Sequence, residues 1–218
     1  MRVQGALADK ATRMVAPADA VIVDGPPARF VGRGGEKLDH ALDAFGIDVT
    51  GDCAADLGAS TGGFTDCLLQ RGARSVLALD VGHGQLDQRL RNDERVRVVE
   101  RTHVNEADAV ALGGPFDIVV ADLSFISLTK VARVVVKRFA RVGSEIVVLV
   151  KPQFEAPKPV VSRGKGVVTD PSERAAALER VTGAFVESGA TIMGVVESPI
   201  TGASGNQEYL LHARRLEA

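Results

Sequence analysis

"DLGASTGGFTDCLLQRGA", residues 56–73, joins a carboxylate and a run of small residues to a segment with helical periodicity. Glycines between a strand and a helix let the backbone approach a ligand closely, because they carry no side chain. In an open α/β sheet, such a loop lies at the carboxyl end of a strand, where ligands bind. The stretch therefore predicts an α/β protein with a ligand site in this loop.

The spacing of these glycines argues against two phosphate-binding loops. A dinucleotide-binding loop requires G-x-G-x-x-G, whereas Gly58 is followed by Gly62 and Gly63. A P-loop requires a lysine after its last glycine, and Phe64 stands at that position. Asp56 would also repel a phosphate group. Neither a dinucleotide nor a nucleoside triphosphate is therefore the expected ligand.

The same loop suits S-adenosylmethionine, an adenosine cofactor that carries a sulfonium, an amine and a carboxylate but no phosphate. Asp56 can face its positive end, and the glycine backbone can pack against its methionine part. Asp80, at the end of the next apolar run, can accept hydrogen bonds from both ribose hydroxyls. Tight turns without a ligand are the alternative interpretation, since acidic residues commonly end strands.

Strands and helices alternate along the rest of the chain. This alternation predicts a largely parallel sheet covered on both faces, made mixed by a final antiparallel pair of strands. We expect a linker near residues 24–32 and a loop rich in proline, glycine and lysine over 153–169. Strands are expected at 53–58, 75–82, 96–100, 116–125, 145–154, 191–199 and 207–215, and helices at 35–46, 64–72, 85–93, 106–112, 128–143 and 171–189.

Composition favours one soluble, cytoplasmic protein with a single main domain. Of the 218 residues, 45% are hydrophobic, enough for one substantial core. The chain contains no run of 18 uncharged apolar residues, and its N-terminus lacks the features of a signal peptide. The net charge of −2 argues mildly against a generic nucleic-acid coat. Cys53 and Cys67 are expected as buried thiols, and the four histidines lack the spacing of metal ligands, so no metal is expected.

If the cofactor is a methyl donor, two features at strand ends favour an oxygen over a nitrogen as the methyl acceptor. Methyltransferases that act on amines of nucleic acids commonly carry Asn/Asp-Pro-Pro-aromatic after the fourth strand, whereas the stretch from Asp122 to Phe125 has no proline. Lys151 ends an apolar run and would project towards the cofactor, where it could deprotonate a hydroxyl if burial or a nearby cation such as Lys37 favoured its neutral form. Asp122 would then orient this lysine. A strand-end lysine that reaches solvent is the alternative.

These positions carry a resemblance to a known family. Lys37 in "GRGGEKL", Asp122 in "VVADLSFISL", Lys151 in "LVKPQFE" and Glu208 in "SGNQEYLL" resemble the Lys-Asp-Lys-Glu tetrad of the FtsJ-like ribose 2′-O-methyltransferases. The first stretch quoted above, "ALDVGHGQLDQRLRND", "ERT" and "SGNQEY" resemble more closely the TlyA (hemolysin A) family of rRNA methyltransferases. The resemblance extends over about residues 30–215.

The resemblance implies the Rossmann-like, seven-stranded S-adenosylmethionine-dependent methyltransferase sheet. It implies methyl transfer to a ribose 2′-hydroxyl, usually of cytidine, in ribosomal RNA or ribosomal subunits, without a metal. Lys151 would assist deprotonation of the hydroxyl, and Lys37, Asp122 and Glu208 would position it and the ribose. The residues expected to hold the cofactor are Asp56, Gly58, Ser60, Thr61, Gly62, Gly63, Phe64, Asp80, Val81 and Asp122.

The N-terminal segment resembles part of a second domain. Members of the family usually begin with an RNA-binding domain like that of ribosomal protein S-four, and residues 3–25 resemble only its later, β part. We therefore expect a truncated RNA-binding segment and linker at residues 1–28, and the methyltransferase domain at 29–218. Phe30 and Phe154 are the only aromatic candidates nearby, so base stacking is not predicted. Candidate phosphate contacts are Arg29, Arg33, Lys158, Arg163 and Lys165.

Three other functions remain open at this point. An O-methyltransferase of a small molecule or a protein would use the same fold, although basic residues on both sides of the crevice favour RNA. A membrane-active hemolysin would require an amphipathic helix with a free apolar face, whereas the helices here are needed to cover the sheet. A non-catalytic ribosome-binding factor is disfavoured because all four tetrad positions are occupied.

Overall fold

Two β-sheets organise the described residues, which are 2–8, 14–22 and 28–217 of a computed structural model. The smaller sheet is antiparallel, and its middle strand β1 (Arg2–Val3) pairs with β2 (Ala6–Leu7) and β3 (Val21–Ile22). Residues 24–27 of the expected linker lie outside the described part of the chain. The domain boundary between residues 28 and 29 stays a prediction.

The larger sheet has seven strands and carries the site. In space the order is β6-β5-β4-β7-β8-β10-β9, and β10 runs antiparallel to both of its neighbours. The mostly parallel sheet with an antiparallel C-terminal strand is therefore confirmed. The strands are β4 (Cys53–Leu57), β5 (Ser75–Leu79), β6 (Val96–Val99), β7 (Phe116–Ala121), β8 (Ala140–Val150), β9 (Ala190–Glu197) and β10 (Tyr209–Arg215).

Helices cover both faces of this sheet. One apolar core includes Leu38, Leu42 and Leu68, and the core on the other face includes Phe139 and Phe185. Full burial of a side chain of this size contributes about 1.5–3 kcal/mol of transfer free energy. The helices are α1 (Gly34–Phe45), α2 (Gly63–Gln70), α3 (Gln88–Arg91), α4 (Ala132–Val134), α5 (Pro152–Glu155), α6 (Lys158–Arg163) and α7 (Pro171–Glu187).

Local signals fix the ends of the helices that the sequence predicted best. Asp170 accepts a hydrogen bond from the backbone N–H of Ser172, and Pro171 occupies the first turn of α7. Helix α1 ends at Gly46, whose φ of 65° is the left-handed conformation that glycine adopts without a steric penalty. Both ends agree with the predicted starts and stops.

The structure departs from the predicted segments chiefly at three places. Among the other elements, the strand predicted over 145–154 ends at Val150, and the helix predicted over 85–93 is only Gln88–Arg91. Residues 106–112 form turns instead of a helix, because the Asp108 carboxylate accepts hydrogen bonds from the backbone N–H groups of Val110 and Ala111. The helix predicted over 128–143 is a 3₁₀ turn, the short α4 and a π-helical turn, and β8 begins already at Ala140. The loop predicted over 153–169 contains α5 and α6, each with a proline in its first turn.

The register of the strands brings the predicted site to one edge of the sheet. Leu57, the last residue of β4, pairs with Leu79 and Ala121, the last residues of β5 and β7. The residues that follow these three strands therefore leave the sheet side by side. Tyr209 at the start of β10 pairs with Val150 at the end of β8, so the residues before β10 lie at the same edge.

Candidate active site

A cavity of about 450 Å³ opens at the carboxyl ends of the central parallel strands. Its walls come from the segments that follow β4, β5, β6 and β7. This is the position at which open α/β sheets bind their ligands. The lining residues are Gly58, Ser60, Leu79, Asp80, Val81, Gly82, Gln85, Thr102, His103, Val104, Asp122, Leu123, Ser124, Phe125 and Ile126.

The glycine loop is packed too closely to accept side chains. A Cβ on Gly58 would lie 2.7 Å from the carbonyl oxygen of Asp122, and the φ of this glycine is +90°. A Cβ on Gly62 would lie 2.2 Å from a methyl group of Leu90. The backbone after β4 therefore lies directly against the segment after β7, and it presents main-chain atoms to the cavity at Gly58.

Asp80 is held by backbone N–H groups of two cavity-lining residues. Its Oδ2 accepts a hydrogen bond from the backbone N–H of Ser60 at 2.8 Å, and its Oδ1 accepts one from Gly82 at 2.6 Å. Each carboxylate oxygen has a further lone pair. Asp80 is thus preorganised as a double acceptor, which fits the two hydroxyls of a ribose.

Asp56 is a buried carboxyl that does not line the cavity. Its Oδ2 accepts a hydrogen bond from the Thr65 hydroxyl at 2.7 Å, whereas its Oδ1 has no hydrogen-bond partner. Burial raises the pKa of Asp56 to about 7, Thr65 opposes this, and the negative charges of Asp122 and Asp80 add to it. A contact of Asp56 with the positive end of a cofactor stays a prediction.

The four tetrad positions form two ion pairs. Lys37 Nζ lies 2.5 Å from Glu208 Oε2, and their side chains are only 8% and 3% exposed. Lys151 Nζ lies 2.5 Å from Asp122 Oδ1. Asp122 Oδ1 has no hydrogen-bond partner although Nζ lies this close. The second contact is therefore an ion pair without the angles of a hydrogen bond. The structure thus pairs each lysine with a carboxylate rather than with the other lysine.

Several residues that the sequence assigned to the cofactor pack α2 instead of lining the cavity. A Cβ on Gly63 would lie 2.9 Å from the backbone nitrogen of Gly35, which shows how closely α2 approaches α1. Phe64 is buried in the apolar core between these helices. Thr61 and Gly62 also lie outside the cavity lining. A cofactor contact for these four residues stays a prediction, whereas Val81 does line the cavity.

Sequence reasoning missed two groups of cavity residues. Thr102, His103 and Val104 follow β6, and the quoted "ERT" marked this segment without assigning it a role. Its place directly after an apolar run was the available signal. Ser124 and Phe125 follow β7, and the sequence analysis used this segment for Asp122 and for its lack of prolines but gave these two residues no role.

The predicted RNA-contacting residues fall into two groups. Arg29 pairs with Asp39 and stacks over the Phe30 ring, and Arg33 donates a hydrogen bond to the Thr201 carbonyl. These two arginines therefore already have partners within the fold. The exposed residues without such a contact among the described interactions are Lys158, Arg163 and Lys165.

An aromatic pair lies beside the second group. Phe125 is 93% exposed, and its ring centroid is 5.4 Å from that of Phe154. Both rings line a groove of about 550 Å³ together with Lys158 and Lys165. Phe30, by contrast, is buried. The sequence analysis named only Phe30 and Phe154 as aromatic candidates and missed Phe125, whose exposure accompanies a turn with φ +65° that the sequence pattern does not specify.

Two features of other classes of site are absent from the described residues. No group of three or more histidine, cysteine, aspartate or glutamate side chains in them could hold a metal ion. Among the described helices, none combines the length and the apolar character needed to cross a bilayer.

Comparison with known proteins identifies the class. The family model of the FtsJ-like methyltransferases matches residues 30–215, so the chain belongs to the FtsJ-like methyltransferase family. It is an α/β enzyme of the S-adenosylmethionine-dependent methyltransferase fold, and the predictions of fold class, methyltransferase activity and cofactor are confirmed at the level of this family.

Individual relatives narrow the resemblance. The chain is 47% identical over 215 residues to the 16S/23S rRNA (cytidine-2′-O)-methyltransferase TlyA of Mycobacterium tuberculosis, covering 98% of this chain and 80% of that protein. A solved structure from Streptococcus thermophilus, named as a candidate hemolysin, is 41% identical with a TM-score of 0.84, over 89% of this chain and 70% of that one. An S-adenosylmethionine-dependent methyltransferase from Mesorhizobium loti shares the fold at a TM-score of 0.58 and 19% identity, over 81% of this chain and 96% of that one.

Proposed function

We propose that this protein transfers a methyl group from S-adenosylmethionine to the 2′-hydroxyl of a ribose in ribosomal RNA, with cytidine as the expected nucleotide. The observation that carries the proposal is the pair of ion pairs, Lys151 with Asp122 and Lys37 with Glu208, at the edge of the sheet that holds the cavity. The named activity of the 47% identical relative supports the same reaction.

The cavity offers the groups that S-adenosylmethionine requires. Asp80 would accept hydrogen bonds from the ribose hydroxyls, and the backbone at Gly58 and Ser60 would pack against the methionine part. Asp122 also lines the cavity and would add negative charge towards the sulfonium. When bound, the cofactor supplies an electrophilic methyl group.

Lys151 is the proposed base. In its neutral form, its Nζ would take the proton from the ribose 2′-hydroxyl, and the nearby Asp122 carboxylate would stabilise the resulting ammonium. Lys37 and Glu208 neutralise each other in a buried position, so they can fix the ribose without leaving an unpaired charge. Alignment of the hydroxyl in the cavity would supply much of the remaining rate.

RNA would approach over the groove beside Lys151. The exposed Lys158, Arg163 and Lys165 are the proposed phosphate contacts, and Phe125 with Phe154 offers a surface for stacking an unpaired base. The open groove with its lysines favours a polynucleotide over a small acceptor. We also propose that residues 1–28 belong to an S-four-like RNA-binding segment. With this substrate the enzyme would act in the cytoplasm.

The test is transfer of tritium from labelled S-adenosylmethionine to separated, unmodified ribosomal subunits. We expect label on 2′-O-methylcytidine with the wild-type protein and only a small residual rate with Lys151→Ala, which alignment of the hydroxyl alone supplies. Lys137→Ala is the matched control, because Lys137 precedes the opposite, amino end of β8 and should leave transfer unchanged. Calorimetry should show that both variants still bind the cofactor. Label on a base nitrogen, or transfer to small acceptors but not to RNA, would contradict the proposal.

A further inference from the structure

Ser124 is the hydrogen-bond partner of the proposed base. It lies two residues after Asp122, lines the cofactor cavity, and its Oγ accepts a hydrogen bond from Lys151 Nζ at 3.0 Å. The Asp122 carboxylate is closer to Nζ, at 2.5 Å, but without hydrogen-bond angles. Charge attraction from Asp122 falls off gradually with distance and has little angular dependence, whereas a hydrogen bond weakens steeply away from linearity. The directional restraint on Nζ therefore comes from Ser124.

Direction matters because a neutral amine has a single lone pair. Rotation about the Cε–Nζ bond would sweep this lone pair past Asp122, Ser124 and the cavity. A hydroxyl that accepts one N–H stops the rotation and leaves the lone pair free on another side. Because the hydroxyl is uncharged, it restrains Nζ without adding a second negative charge that would favour the ammonium form.

The loop that carries Ser124 is anchored at both ends. The loop begins directly after β7. Beyond Ser124 it is bound by Glu155, the last residue of α5. Glu155 Oε2 accepts a hydrogen bond from the Ser127 hydroxyl at 2.6 Å, and its Oε1 accepts one from the backbone N–H of Leu128 at 2.8 Å. Since α5 follows Lys151 immediately, this contact fixes the distance between the serine loop and the base.

We propose that Ser124 is a positioning residue, which holds Lys151 Nζ so that its lone pair faces the substrate hydroxyl. The inference rests on the proposed function, and it adds a fifth member to the four tetrad positions. In the proton transfer, the O–H bond of the ribose hydroxyl breaks and a third N–H bond forms on Nζ. Ser124 keeps its hydrogen bond throughout, so it neither gains nor loses a proton.

Single-turnover methyl transfer to the labelled ribosomal subunit tests this role. Ser124→Ala should slow the chemical step by about 10- to 100-fold, which is less than the roughly 10²- to 10⁴-fold contribution of an acid–base group itself, because Ser124 only orients that group. The Kd for S-adenosylmethionine and the KM for RNA should stay within about twofold, since only the transition state is affected. Ser124→Thr keeps the hydroxyl at an exposed position and should recover most of the rate.

A double variant separates positioning from a general structural role. If Ser124 acts through the lysine, Ser124→Ala combined with Lys151→Ala should be no slower than Lys151→Ala alone. Three results would overturn the inference while leaving the proposed function standing. These are rate losses that multiply in the double variant, a Ser124→Ala variant as fast as the wild type, and a Ser124→Thr variant as slow as Ser124→Ala. Absence of transfer to RNA by the wild-type protein would overturn both.

Discussion

Replacing Asp56 with asparagine should stabilise the protein at neutral pH. Asp56 is fully buried, and one of its two carboxyl oxygens has no hydrogen-bond partner. Burial raises the pKa of this carboxyl from 3.8 to about 7, so the folded state resists its ionisation. Asparagine has the same shape, cannot ionise, and its Oδ1 can still accept the hydrogen bond of Thr65.

The sign and size of the effect follow from linkage. Well below pH 3.8 the carboxyl is neutral in both the folded and the unfolded state, so the difference in stability between the two proteins should not change with pH there. Between the unfolded pKa and the folded pKa of about 7, the unfolded state binds fewer protons, and the free energy of unfolding of the wild type falls relative to the variant. A shift from 3.8 to about 7, at about 1.4 kcal/mol per pKa unit, gives a plateau of about 4 kcal/mol above pH 7.

Urea unfolding of both proteins from pH 4.5 to 8, without cofactor, measures this difference. The variant should gain about 1.4 kcal/mol over the wild type for each pH unit up to the plateau. Asp87→Asn is the sign control: hydrogen bonds from Arg89 lower the pKa of that partly exposed carboxyl, so its loss should weaken the protein near neutral pH and not at acid pH. A difference between wild type and Asp56→Asn that stays constant from pH 5 to 7 would refute the reasoning.

Three further changes test the site. Asp80→Ala removes the acceptor for the ribose hydroxyls and the anchor of the Ser60 and Gly82 backbone, so calorimetry should show cofactor binding weakened by about 10- to 100-fold, at about 1.4 kcal/mol per factor of ten. Lys37→Met leaves the Glu208 carboxylate buried without its partner and should cost about 3–5 kcal/mol in urea unfolding, whereas Lys37→Met with Glu208→Leu should recover most of that stability but not methyl transfer. Phe125→Ala should leave the unfolding free energy within about 0.5 kcal/mol, because the ring is exposed, while the KM for RNA rises.

The positions of Gly58, Asp80, Asp122 and Lys151 could be predicted from the sequence because each follows an apolar run. Parallel strands end at a common edge, so residues with this pattern converge whatever the details of packing. Glu208 lies just before β10, which runs antiparallel and therefore starts at this same edge, so its position follows from the pattern as well. The pairing of Lys37 with Glu208 has no comparable signal, since these two residues are 171 residues apart in the chain.

Features set by local competition also escaped the sequence analysis. At residues 106–112 the apolar pattern favoured a helix. The Asp108 side chain instead accepts hydrogen bonds from the backbone N–H groups of Val110 and Ala111, which in that helix would donate to backbone carbonyls. The exposure of Phe125 depends on a positive φ that bulky residues rarely adopt. Such positions are decided by contacts of the folded loop, which periodicity does not describe.

The charges around the cavity indicate which kind of cofactor the glycine loop can bind. Asp122 and Asp80 both raise the pKa of the buried Asp56, which means that negative charge accumulates on this side of the sheet. A phosphate would add to that repulsion, whereas a sulfonium and an ammonium would relieve it. The neutral hydroxyl of Ser124 fits the same logic, because it can direct Lys151 without a further carboxylate at the cavity wall. The loop is therefore matched to a cationic adenosine cofactor through the acidic groups that surround it as much as through its glycines.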